Sequence, residues 1–321
     1  MSLDDCAQRR LCQRLSLFYA FPAPKQSNMS AIYQWLKNIP TAKLAWILIT
    51  ILISNCLSID PSLGITEQKI LNTTSNHHPK LQILLPLYIY PNWYDKNKYV
   101  WKQVIAAAKK VSIVAIINPN SGPNNAPPNT DYQQGIKDLH QAGIKIVGYV
   151  PSNYSKRDIR SVKTDIDLYT KHFKIDGIFI DEAASSNEKA SYYQQLYQYI
   201  KSKSIAYKVI INPGVNIDEN YISQGVADTI ITFENYQKNW SSYAPIKYQK
   251  KYSAQTFAAL VHTTANRKLM KSILDRAIKN NLGYIYITDD STSTPNKNPW
   301  DTLPTYWQAE VNYIQQLNTS E

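Results

Sequence analysis

The segment 176–182 reads Asp-Gly-Ile-Phe-Ile-Asp-Glu, an apolar strand that ends on two adjacent carboxylates. A strand that is apolar on both faces belongs inside a parallel sheet, where an unpaired carboxylate is costly, so Asp181 and Glu182 are expected at its open end. In α/β proteins that end faces the ligand, which makes both acids candidates for general acid/base work. The bland role for the pair is to cap the next helix. A third acid, Glu234, closes a second apolar run two strands later in the chain. Glycoside hydrolysis needs two carboxyl groups across the scissile bond, about 5 Å apart for double displacement or about 6.5–9.5 Å for inversion. Strand spacings of about 4.8 Å put Glu234 on that scale from Asp181 and Glu182, but leave the distance class open. Phe179 and Asp181 share one strand face while Ile180 and Glu182 share the other, so both acids reach one ligand only where the strand frays. Carboxylates held this close raise one another's proton affinity, which supplies a neutral acid beside an ionised partner.

The elements that must position these acids repeat. Short β-rich runs at 81–90, 111–118, 144–150, 177–182, 208–212, 228–234, 255–262 and 284–289 alternate with helical patterns. The helical patterns fall at 98–110, 132–142, 157–173, 188–202, 219–224, 240–250, 267–280 and from about 305. Eight β-then-α units in one domain over 81–321 predict a (β/α)8 TIM barrel, with a doubly wound open sheet as the runner-up. Glycines at Gly143, Gly177 and Gly283 come before strands, at the structural ends. Proline-rich turns at Pro91, Pro119, Pro151 and Pro213 come after strands and form the functional mouth.

The strand ends supply Tyr88, Tyr90, Asn118, Tyr149, Asp181, Glu182, Asn212, Glu234, His262, Asp289 and Asp290 to that mouth. Five of these are acids, and the 24 tyrosines and 7 tryptophans give the same loops flat faces. Polar rims with aromatic walls suit sugars, whose ring faces stack while their hydroxyls hydrogen-bond. Each of the weaker candidates has a plainer role: His262 as a core histidine, Asp289 and Asp290 as caps on the loop from Ser291, and Asn118 and Asn212, each before proline, as loop-shaping residues. Histidines and acids are too dispersed for a zinc motif, and there is no glycine-rich phosphate loop, so neither metal nor cofactor is expected.

Residues 1–57 read as a leader, followed by a linker over 58–80. Lys37 and Lys43 precede the apolar-dominated run 44–53, which has the length of a secretory core and falls short of the roughly 20 residues of a membrane span. Export is the expectation, with Met29 as an alternative start. Cys56 sits where a bacterial lipoprotein box has its lipidated cysteine, although Asn55 departs from the small residue usual there. Lipidation and a membrane tether, cleavage nearby and an uncleaved anchor all stay open. Cys6, Cys12 and Cys56 are the only cysteines, so the barrel carries no disulfide or thiol chemistry. The net charge of +11 comes from lysines scattered singly, a solvated surface rather than a nucleic-acid stripe.

Several motifs line up in order from residue 81 onward. They are Leu85-Pro86-Leu87-Tyr88 with Trp93, 117–123 (Ile-Asn-Pro-Asn-Ser-Gly-Pro), Gly148-Tyr149-Val150, 165–169 (Asp-Ile-Asp-Leu-Tyr), 176–182, Asn212-Pro213-Gly214, and Phe233-Glu234-Asn235-Tyr236. This ordered set resembles the spherulation-specific family 4 proteins, the spherulin type. The resemblance implies a (β/α)8 glycoside hydrolase acting on α-1,4-linked exopolysaccharide that contains N-acetylgalactosamine, of the galactosaminogalactan kind. It carries an acidic site onto Asp181, Glu182 and Glu234, with Tyr236 among the substrate-binding residues. The run Asn124-Asn125-Ala126 departs from the family, which often has further glycine there. The strand-four motif is also similar to that of chitinases, but their catalytic glutamate falls at Ala183.

Two readings follow. One is an exported, monomeric, endo-acting glycosidase on an amino-sugar polymer; the other is a non-catalytic carbohydrate-binding surface protein on the same barrel.

Overall fold

The eight β-rich runs become eight parallel strands: β1 Gln82–Leu87, β2 Ile113–Ile117, β3 Lys145–Pro151, β4 Gly177–Asp181, β5 Lys208–Ile211, β6 Thr229–Tyr236, β7 Phe257–His262 and β8 Tyr284–Ile287. They pair in chain order, and β8 returns to β1 to close a barrel. The structure, a computed structural model, describes residues 80–293 and 298–319. The leader and most of the linker, with Met29, Cys56 and the apolar run, lie outside the described residues. The barrel is therefore a (β/α)8 fold, and the open doubly wound sheet is excluded by its closure.

Helices α1 Trp101–Ala107, α2 Thr130–Gln141, α3 Ile159–His172, α4 Ala190–Lys203, α5 Asn220–Ser223, α6 Arg267–Lys279 and α7 Trp307–Thr319 fill the connections. Asn129, Asp158 and Asn266 cap α2, α3 and α6 by accepting a backbone N–H. One expected helix is different. Between β6 and β7 the chain forms short 3-10 turns, Gln237–Ser242 and Gln249–Lys251, instead of an α-helix over 240–250. Pro245 accounts for this, because it has no N–H to donate and disfavours helical backbone in the residue before it. The aromatic residues of this segment still cover the barrel: Trp240 and Tyr243 stack at 5.1 Å, and both rings pack on Phe233.

In a parallel barrel, paired residues share a face and alternate residues point inward. The registers Tyr149↔Phe179, Phe179↔Ile210 and Ile210↔Thr229 put Asp181, Asn212 and Ile231 on the inner face. Strict alternation would then send Phe233 inward and Glu234 outward. It does not hold, because the β6–β7 register shifts between Ile231 and Phe233, leaving Thr232 as one extra residue. The bulge restarts the alternation with Glu234 and Tyr236 on the inner face, level with Leu260 and His262 of β7. The Thr232 hydroxyl is satisfied outside by Tyr243 at 2.8 Å.

At the opposite end, packing is close enough to require glycine. A Cβ at Gly177 would stand 2.0 Å from the Lys208 carbonyl oxygen. The seam between β1 and β8 is short, with two residue pairs, Gln82↔Tyr284 and Ile83↔Ile285. Beyond it the Ile287 N–H is satisfied by Glu310 of α7, whose Oε1 accepts at 3.1 Å.

Candidate active site

β4 ends at Asp181, and Glu182 turns into left-handed backbone with φ of 49°. That turn is the fraying the face pattern requires: it brings Glu182, which would otherwise follow Ile180 to the outside, to the same cavity as Asp181. The two carbonyls are pinned from β3. Ser152, fully buried, donates its N–H to the Asp181 carbonyl at 2.9 Å and places its Oγ 2.9 Å from the carbonyls of both Asp181 and Glu182. The Tyr154 N–H donates to the Glu182 carbonyl at 2.6 Å.

Asn212, the residue after β5, joins the acids. Its side-chain Nδ2 donates to Asp181 Oδ1 at 2.8 Å and also to Glu234 Oε2. Trp300 gives Glu234 a further hydrogen bond, and the Tyr149 hydroxyl donates to Asp181. Burial, then the charge of Asp181, pushes the Glu234 carboxyl up to about 7. Burial also raises Asp181, against hydrogen bonds from Tyr149, Glu182 and Asn212 that lower it. Both groups are thus biased toward holding a proton, and they cannot both ionise cheaply. Two oxygens bound to one amide nitrogen lie about 5 Å apart at ordinary hydrogen-bond lengths and angles.

Asp181, Asn212 and Glu234 line a cavity of about 420 Å³, together with Glu182, Pro213, Gly214, Val215, Asn235, Tyr154, Tyr236 and His262. Tyr236 and His262 are in ring contact at 4.4 Å, and Trp300 meets His262 at 5.8 Å. Burial lowers the His262 pKa, so the ring is a neutral wall at pH 7. Tyr88 packs edge-on against Tyr149 at 5.7 Å, and burial and Asp181 hold its hydroxyl protonated. Tyr88 and Tyr149 therefore back the acids from the β1 and β3 side.

Four sequence candidates stand apart. Tyr90 is turned to the outer rim, donating to Asp131 at 2.8 Å and accepting from Asn129 at 2.8 Å. Asn118 shapes its own loop by accepting the Gly122 N–H at 3.0 Å. Asp289 accepts the backbone N–H of Thr305 at 3.1 Å and also its hydroxyl, holding the approach to α7, while Asp290 accepts from Ser291 and Thr302. These side chains are spent on loop structure. Asn212 differs from its expected loop-shaping role, because its amide faces the acids. Trp300 and Tyr154 were not among the sequence candidates. Trp300 arrives from the long loop after β8, and its position at a strand's outgoing loop was the available signal; Tyr154 had the same one.

Comparison with known proteins agrees with the ordered motifs. A model of the spherulation-specific family 4 matches residues 82–314. The chain belongs to spherulation-specific family 4. Spherulin-4 of Physarum polycephalum, also of this family by name, is 34% identical over 254 residues, which is 76% of this chain and 73% of that protein. Among solved structures, Sph3 of Aspergillus clavatus, in complex with GalNAc, matches with a TM-score of 0.63 at 22% identity, over 74% of this chain and 98% of its own. At that identity the likeness shows a common barrel. Within the family barrel, Asp181, Glu182 and Glu234 fall where β4 and β6 open on the cavity.

Proposed function

We propose that this chain is an exported, endo-acting glycoside hydrolase that cleaves an α-1,4-linked polysaccharide containing N-acetylgalactosamine. The observation that carries the reading is the pair Asp181 and Glu234, raised together by burial and joined through one Asn212 amide. Bonded oxygens about 5 Å apart, as bridging by one amide nitrogen implies, are in keeping with double displacement. The GalNAc bound to Sph3, a protein with the same barrel, supports an amino sugar as the unit recognised.

The chemistry then divides as follows. Glu234, held protonated near neutrality, donates to the leaving oxygen as the bond breaks. Asp181, with donors from Tyr149 and Asn212 to stabilise its charge, attacks the anomeric carbon, and water activated by Glu234 then hydrolyses the glycosyl-enzyme. Glu182 lines the same cavity and is free to position the ring hydroxyls. Neutral His262 and the aromatic walls exclude water from the flank.

The deciding experiment is release of reducing ends from an N-acetylgalactosamine polymer by the purified chain, with and without chelator. Turnover that persists in EDTA supports an acid mechanism of this kind. A purified, folded chain that binds the polymer and leaves it intact would instead favour the carbohydrate-binding reading.

A further inference from the structure

Three consecutive non-glycine residues after β3 lie in the left-handed region: Asn153, Tyr154 and Ser155, with φ of 47°, 53° and 64°. Asparagine tolerates this conformation, but each of the other two costs about 1–2 kcal/mol there. The surrounding structure is built to hold the run. The Tyr193 hydroxyl, buried under the loop, accepts the N–H groups of Ser155 and of Ala184 and lies 3.1 Å from Ser152 Oγ. The Tyr154 N–H is tied to Glu182. The segment and the acid pair therefore form one unit.

What the strained run delivers is not packing. The Tyr154 side chain is 54% exposed and lines the acid cavity. Among the described residues the exposed large hydrophobics are Tyr90, Tyr94, Tyr154, Ile205 and Val215, and all but Ile205 lie in loops that follow strands. Tyr154 is the aromatic of this group that borders the acids. Strain that is held in place to present a ring to solvent, beside carboxylates, points to a ligand for that ring.

We propose that Tyr154 is an aromatic platform for a galacto-configured sugar ring next to the scissile bond, and that the left-handed run serves to hold it there. The proposal rests on the glycosidase reading above and names a residue for its specificity. In a galacto-configured pyranose O4 is axial, so the C–H groups at C3, C4 and C5 form one apolar face. A flat ring fixed above the cavity takes that face while the acids reach the glycosidic oxygen. A gluco-configured ring, with equatorial O4, offers the tyrosine a less continuous apolar face.

The test is titration calorimetry with a hexamer of α-1,4-linked N-acetylgalactosamine on the full chain carrying Glu234→Gln, with melting curves for each variant. Tyr154→Phe and Tyr154→Trp are expected to bind within about threefold of the parent, and Tyr154→Ala and Tyr154→Gly about tenfold or more weaker. Tyr154→Gly should melt at or above the parent temperature, because glycine adopts the left-handed conformation freely. In the active background, Tyr154→Ala should raise KM more than it lowers kcat. Undiminished binding by Tyr154→Ala, with turnover of the hexamer by the parent, overturns the platform alone. A Tyr154→Phe variant as weak as Tyr154→Ala also overturns it. No binding or turnover by the parent removes both the substrate assignment and the platform.

Discussion

Asp181 and Glu234 share a single donor, the side-chain amide nitrogen of Asn212. They come from strands separated by β5, and Asn212, which follows β5, spans the interval. The arrangement satisfies one oxygen of each acid and sets their separation. It also makes the protonation of one depend on the other, since each hydrogen of the amide is committed to a different carboxyl.

Replacing Asn212 by leucine removes the shared donor at nearly constant volume. Because its hydrogen bonds lower both acids, their pKa values should rise further, and the alkaline limb of the pH–rate profile should move up. We expect kcat to fall about tenfold to a hundredfold, with the melting temperature changed by a few degrees. A pH–rate profile that superposes on the parent's would remove Asn212 from the machinery.

Asp181→Asn, Glu182→Gln and Glu234→Gln should each lower turnover by about a hundredfold or more with the barrel retained. Circular dichroism and melting curves check the fold, and reducing-end release checks the rate. Three variants with parental rates would contradict the catalytic assignment.

Glu234 as proton donor gives activity at and below neutrality that is lost as pH rises through about 7. Asp181→Asn removes the neighbouring charge that helps to raise it, so the residual activity of that variant should lose its alkaline limb at lower pH than the parent. The stability effect has a definite sign. The folded protein holds this proton above the ordinary carboxylate range, so stability falls as pH rises from about 4.5 to 7 and then levels. Glu234→Gln should flatten that slope, which melting temperatures across the interval will show.

Glu310 is fully buried, and burial raises its pKa well above the usual range. Its Oε2 has no hydrogen-bond partner among the described residues, while Oε1 accepts the Ile287 N–H that the β1–β8 seam leaves over. The neutral form is the native one, so alkaline conditions should destabilise the seam. Glu310→Gln should melt higher than the parent at pH 8–9 and near the parent at pH 5; Glu310→Leu, which strands the amide, should lose about 1–3 kcal/mol.

Substrate charge provides a separate check. The whole chain carries a net +11, and a fully de-N-acetylated galactosamine polymer is itself cationic. Long-range repulsion should favour acetylated or mixed polymer, with the preference shrinking as salt rises. Rates on polymers of graded acetylation at low and high salt measure this directly, and faster cleavage of the deacetylated chain at low salt would reverse the expected order.

Much of the barrel was legible because apolar runs, helix periodicity and turn residues alternate eight times, and each run lands on a strand. The acids were legible because charge at the end of a buried strand has few structural uses. Other features depended on geometry that a linear pattern does not carry. Ile230-Ile231-Thr232-Phe233 reads as an unbroken strand, and nothing in it marks Thr232 as the extra residue. Asn212 resembles any asparagine before proline until the acids on either side are in place. Asp289 and Asn118 had strand-end positions equal to those of the site residues, yet their side chains fold back on their own loops. Trp300 reaches Glu234 from a segment about sixty residues distant along the chain, a contact only the closed barrel creates.

The bulge at Thr232 also bears on how β6 tolerates a change of length. Loss of that one codon would place Phe233 directly after Ile231, and plain alternation would then keep Phe233 outside and Glu234 in the cavity. A strand with the extra residue and a strand without it therefore offer the same acid to the sugar. An insertion at this point is absorbed by the backbone and leaves the cleft as it was.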